Sequence, residues 1–99
     1  MGLHQKIGDG KRAELIAAEW LMGQGCYVFT PTTEQSPIDL IALTPDQRFL
    51  YFDVKKLARR KKGTVISRKL TDIQRKMGIR LLYVDLETRT CALFLLYCG

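Results

Sequence analysis

The stretch S-P-I-D-L-I-A-L-T-P-D-Q-R-F-L-Y-F-D-V-K-K, residues 36 to 56, decides the fold. Two apolar, β-prone runs, Ile38 to Leu43 and Phe49 to Val54, flank the segment Thr44 to Arg48, whose Pro45-Asp46 pair suits a type I turn. The expectation is a β-hairpin. With Leu43 facing Phe49 across the turn, Ile41 faces Tyr51 and Asp39 faces Asp53. Strand side chains alternate between faces, so Asp39, Asp53 and Lys55 share one face with Ile41, Leu43, Phe49 and Tyr51. Ile38, Leu40, Ala42, Leu50, Phe52 and Val54 form a wholly apolar surface on the other. Because both faces are apolar at mid-strand, the hairpin is predicted to be central and covered on both sides. Carboxylates opposed with Cβ atoms roughly 5 Å apart repel each other. The pair is therefore either a solvated strand end neutralised by Lys55, or the seat of a divalent cation.

Ahead of the hairpin, Lys11 to Gly23 reads as a helix that places Glu14, Ala17, Ala18 and Leu21 on one stripe. Glu14 points where the small apolar residues point. An acid in a first turn also suits the helix dipole, so Glu14 counts as a third candidate acid only in company with Asp39 and Asp53. After the hairpin, Leu70 to Met77 reads as a second helix, with Thr71 as N-cap, Asp72 in the first turn and Gly78 at the stop. Ile73 and Met77, four residues apart, are expected to face the core, and Gln74 completes a T-x-x-Q pattern with Thr71. Ile79 to Leu86 and Thr90 to Leu96 read as two further strands joined at Glu87 to Arg89.

The chain has 99 residues, a length suited to one domain with a single core. Its 16 Lys and Arg outnumber 10 Asp and Glu, for a net charge of +6. Residues 55 to 80 hold most of the basic side chains and a single acid, Asp72, so the positive field is local. The run K-K-L-A-R-R-K-K, residues 55 to 62, followed by Arg68 and Lys69, has the character of a loop that tracks phosphates. A solvated charge run or a localisation signal is the other reading; on the phosphate reading, Lys56, Arg59, Arg60, Lys61, Lys62, Arg68 and Lys69 are the candidate DNA-binding residues. A polyanion-attracting segment beside a metal site is what a phosphodiesterase requires.

Several classes are excluded. Cys26, Cys91 and Cys98 form no C-x-x-C pair, and their apolar neighbours predict reduced thiols in a cytoplasmic protein. His4 is the single histidine, which disfavours histidine-based nucleases, Ser-His-Asp hydrolases and zinc fingers. No signal peptide is expected, and no Walker A motif, dinucleotide fingerprint or internal repeat is found in these residues. The run Cys91 to Cys98 is too short to span a membrane. Ala92, Phe94 and Leu96 on one face and Leu93, Leu95 and Tyr97 on the other make it a strand buried in its own domain or facing a second subunit, and a homodimer is the expectation.

An acid in the first helix, S-P-I-D ending in Asp39, and Asp53-Val54-Lys55 on the next strand together resemble the PD-(D/E)XK nuclease superfamily. Within it, G-D-G-K-R-A-E-L-I-A-A-E-W-L, residues 8 to 21, followed by a glycine and a strand, looks most like archaeal Holliday junction resolvases and related small phage endonucleases. The chain departs from that pattern in three ways. Ile38 separates Pro37 from Asp39, the second acid is Asp rather than Glu, and Pro31-Thr32-Thr33-Glu34-Gln35 replaces the resolvases' Gly-Ser-rich loop. The resemblance implies an α/β fold, a restriction-endonuclease-like αβββαβ core with a mixed central sheet flanked by helices. It also implies DNA as substrate and Mg²⁺, replaceable by Mn²⁺, as cofactor. Asp39, Asp53 and the carbonyl of Val54 would hold the metal, with Glu14 at a second position. Lys55 would orient the attacking water, and Gln74 is similar to a glutamine that such nucleases place near the scissile phosphate. Structure-selective cleavage is the first expectation, homing-type or restriction-like sequence preference the second, and a noncatalytic DNA-binding module the third.

Overall fold

The computed structural model describes residues 8–59, 65–66 and 70–93. Helix α1 (Asp9–Gly23) leads into β1 (Tyr27–Phe29), β2 (Leu40–Leu43) and β3 (Phe49–Lys56). A short ribbon of β4 (Ala58–Arg59) and β5 (Val65–Ile66) follows, then α2 (Asp72–Lys76), β6 (Ile79–Asp85) and β7 (Thr90–Leu93). The main sheet is mixed, with order β1-β2-β3-β6-β7; β3 and β6 run parallel and the other neighbours antiparallel.

The hairpin takes the register that its alternation dictates, Leu43 opposite Phe49 and Ile41 opposite Tyr51. Its turn is set by local chemistry. The Gln47 N–H donates to the Thr44 carbonyl at 2.9 Å, and Gln47 itself sits at φ 67, the left-handed residue that closes a three-residue hairpin loop. Thr44 Oγ1 accepts the Arg48 N–H at 3.0 Å. At the other side of this turn Gly25 adopts φ 90, and a Cβ there would stand 3.2 Å from Pro45. The C-terminal end of α1 is thereby fitted against the hairpin loop.

The apolar face of the hairpin makes the core. Leu40, Ala42, Phe52 and Val54, joined by Leu82 and Val84 of β6, pack against Ala13, Ile16, Ala17 and Leu21 of α1. The two alanines let the helix approach the sheet closely, and Phe52 is the largest fully buried side chain among the described residues. The buried stripe of α1 thus runs through Ala13 and Ile16 rather than through Glu14, which lies half-buried at its flank.

The other face is only partly covered among the described residues. Ile79, Leu81 and Tyr83 are buried, but Phe49 is 54% and Tyr27 72% exposed. The prediction of a hairpin covered on both sides therefore holds at β6 and fails towards β1. α2 is too short to close that face. Its Ile73 and Met77 are exposed, not core residues as the four-residue spacing suggested. A five-residue helix turns only once or so, and its ends are fixed by capping rather than by burial of a stripe.

The basic segment also differs from expectation. It begins as a ribbon, with Ala58 paired to Ile66 and Arg59 to Val65, where a loop was predicted; the β-branched Val65-Ile66 pair is the sequence signal for it. Only Leu57 separates β3 from β4, and its N–H still donates to the Val84 carbonyl of β6 at 2.8 Å. Among the described residues no helix is long and apolar enough to cross a membrane.

Candidate active site

Asp39 stands just before β2, where the strand loses its register. The ladder starts at Leu40, opposite Phe52, and the Asp39 N–H donates at 2.8 Å to the carbonyl of Phe52 rather than pairing with Asp53. The backbone pairing of Asp39 with Asp53 that the alternation suggested is thus lost, while the two carboxyls still meet. Asp39 Oδ2 accepts the N–H of Val54 at 2.8 Å, so a side chain satisfies a strand amide beyond the end of β2. An edge amide left without a partner is costly; here the carboxylate meets that need and is oriented by it.

Asp53 occupies the middle of β3 and is 5% exposed, the single buried charged residue among those described. Burial is the largest influence on it, followed by the hydrogen bond that its protonated carboxyl makes with the Asp39 carboxyl. Together they overcome the Lys55 ammonium and raise the Asp53 pKa from 3.8 to about 6. Lys55 Nζ lies 3.5 Å from Asp53 Oδ2, with its side chain one-third exposed. Parallel pairing with β6 holds this face rigidly: Asp53 is opposite Leu81, and Lys55 opposite Tyr83.

Glu14 is brought near by α1 but does not join the pair. It lies 3.4 Å from Lys11 on its own helix and lines, with Asp39, Thr30, Thr33, Glu34 and Ser36, a cavity of about 340 Å³. Among the described residues no three His, Cys, Asp or Glu side chains converge closely enough to hold one ion. The carboxylate set at the sheet end is therefore two acids, with the third across a cavity.

Gln74 reaches the segment before Asp39 from α2. It is the third helical residue of α2, and it completes a capping box with Thr71. Its Nε2 donates to the carbonyl of Pro37 at 3.0 Å. Sequence reasoning gave Gln74 a place near the chemistry but not this partner, which lies 37 residues away. It also passed over Ser36, whose hydroxyl accepts the Ile38 N–H at 3.1 Å and shapes the same segment; the Ser-Pro pair was the available signal.

Lys56 falls on the α1 side of the sheet, opposite in facing to Lys55, and lies 3.1 Å from Asp9. It is held away from the acids. For Arg59 the strand position is described but not the side chain; Arg60, Lys61, Lys62, Arg68 and Lys69 lie outside the described residues, as do Phe94 to Tyr97 of the expected dimer strand.

No family model matches the chain, and no curated protein does. Among solved structures, the bacterial homing endonuclease I-Ssp6803I superposes with a TM-score of 0.69 at 16% identity. The match covers 86% of this chain and 65% of that one, so this chain spans a little under two thirds of its neighbour's length. The mixed sheet and its helices are thus arranged in a fold similar to that of a homing endonuclease.

Proposed function

We propose that this chain is a metal-dependent DNA endonuclease, of the homing type in preferring particular sequences. The observation that carries the reading is a buried Asp53 whose carboxyl meets that of Asp39, with the Lys55 ammonium 3.5 Å away. Two carboxylates forced together at a sheet end are a destabilising arrangement unless a cation joins them, and hard oxygens suit Mg²⁺ or Mn²⁺. Mg²⁺ commonly takes only one or two protein carboxylates and keeps waters and substrate oxygens for the rest. The donor set fits. Asp39, Asp53 and the Val54 carbonyl would hold the ion, with Glu14 supporting a second position across the cavity it shares with Asp39. A bound metal supplies an acidified water and neutralises charge on the phosphoryl oxygens.

The chain's own residues do the remainder. Lys55 places a fixed positive charge beside the reacting phosphate, where it stabilises charge that develops in the transition state. Arg59, Arg60, Lys61, Lys62, Arg68 and Lys69 would hold flanking phosphates, without Lys56, which is engaged by Asp9. One such site cuts one strand, so we take the working form to be a homodimer. The homing-type reading draws on the likeness of fold. Selective cleavage of junctions, the second reading, draws on the residue 8–21 resemblance.

The test is cleavage of a randomised duplex pool, a four-way junction, a flap and single-stranded DNA in Mg²⁺, Mn²⁺ or EDTA, by wild type, Asp39→Asn and Asp53→Asn. Metal-dependent cuts leaving 5′-phosphates, lost in both variants, are expected. Undiminished turnover in Asp53→Asn would refute the assignment.

A further inference from the structure

We infer that Gln74 is a positioning residue that clamps the Pro37–Asp39 segment, and through it aims the Asp39 carboxylate; the catalytic part of this rests on the function proposed above. Residues 37 to 39 belong to no helix or strand, yet each is tied. The Ile38 N–H is held by Ser36 Oγ and the Asp39 N–H by the Phe52 carbonyl. The Pro37 carbonyl is held by Gln74 Nε2, a tie from an element outside the hairpin and its approach.

The chemistry of the amide makes this contact specific. Gln74 Oε1 accepts the Thr71 N–H at 3.0 Å while Nε2 donates to Pro37 at 3.0 Å. Flipping the amide would set donor against donor at Thr71 and acceptor against acceptor at Pro37, so the two partners together fix its orientation. A capping box accepts Glu as readily as Gln. Only Gln can cap with one end and donate with the other. The presence of Gln in this T-x-x-Q is therefore explained by the Pro37 carbonyl, not by the helix. Glu at this position would also bring a further negative charge towards Asp39 and Asp53.

The clamp matters because Asp39 gains its aim from backbone placement. Its carboxylate must reach the Val54 N–H and stand against Asp53 at once, and it has no strand neighbour on its N-terminal side. Loosening the segment widens the distribution of that carboxylate, which lowers affinity for the cation more than it lowers the rate once the cation is bound.

Three variants test this. Gln74→Glu keeps the cap and loses the clamp; Gln74→Met loses the clamp without adding charge; Thr71→Ala weakens the cap and keeps the clamp. Amide exchange at Asp39 in EDTA and the Mg²⁺ dependence of cleavage are the readouts. Both Gln74 variants should exchange the Asp39 amide faster and need more Mg²⁺ for half-maximal rate, each by about 2- to 10-fold, the range of one modest hydrogen bond. Saturating Mg²⁺ should restore most of the rate, and Thr71→Ala should leave both readouts near wild type. If Gln74→Glu lowers the maximal rate with Asp39 exchange unchanged, or if Thr71→Ala reproduces its effects, the positioning role is overturned. Should the wild type cut no DNA, the proposed function fails, and exchange at Asp39 alone decides the clamp.

Discussion

Replacing Asp53 by Asn should stabilise the metal-free protein while abolishing its proposed chemistry. Asp53 is nearly inaccessible to water, meets the Asp39 carboxyl, and titrates at about 6 instead of 3.8. The sign follows from linkage. A carboxyl whose pKa is higher in the folded state binds its proton more tightly there, so its favourable contribution is fully present below about pH 4 and is lost as pH rises through about 6. Carried through, the difference between the two pKa values corresponds to about 3 kcal/mol at pH 8, already net of the help from Lys55. Asn imitates the protonated side chain, so at about pH 8 in EDTA Asp53→Asn should gain on the order of 2 to 3 kcal/mol, a rise in Tm on the order of 10 °C for a domain of this size. Near pH 4 the gain should vanish. Urea titrations of both proteins at the two pH values, with and without Mg²⁺, provide the measurement. Mg²⁺ should narrow the gap by stabilising the wild type alone. A variant no more stable than wild type at pH 8, or equally favoured at both pH values, would refute the claim that these acids are held together at a cost.

Other perturbations separate the remaining roles. Asp39→Ala strands the Val54 amide that its carboxylate now satisfies, and should destabilise by about 1 to 2 kcal/mol in urea, in contrast to the stabilising Asp53→Asn. Lys55→Ala should lose cleavage while Mg²⁺ binding, followed by calorimetry, persists. Reversing the charges at Arg59, Arg60 and Lys61 should weaken binding to all DNA and flatten its salt dependence, whereas Lys56→Ala should leave the salt slope within error, because that side chain answers Asp9. Phe52→Ala removes a large, fully buried side chain and should cost about 3 to 5 kcal/mol in urea titration.

The parts of the molecule legible in its sequence are those governed by short-range rules. The hairpin register follows from the turn chemistry of Thr44 to Arg48 and from strict alternation, since a slip of one strand by one residue would turn either Leu40 and Ala42 or Phe52 and Val54 away from α1. The ends of α2 were likewise local: Thr71, Gln74 and Gly78 state them within eight residues. What escaped depends on distant partners. The break of register at Asp39 arises because its carboxylate finds the Val54 amide, and no pattern within residues 36 to 43 encodes that. Ile73 and Met77 share a face, but whether anything lies opposite that face is a tertiary matter. Lys56 looked like one more charge in a basic run; the pleat of β3 sends it to the side where Asp9 waits.

The passage from β3 into β4 through Leu57 gives the protein a modular economy. Asp53 and Lys55 are fixed upstream, by the ladder that pairs Tyr51–Lys56 with Ile79–Val84, and Leu57 still donates its N–H to the Val84 carbonyl of β6. Beyond Leu57, β4 and β5 pair with each other in a two-stranded sheet separate from the main one. On the proposed function, this ribbon could be lengthened, shortened or recharged, altering which nucleic acids are retained, without disturbing Asp53 and Lys55. On that reading recognition would drift while the chemistry stays still, and exchanging residues 58 to 66 for another ribbon would be a route to new target preferences.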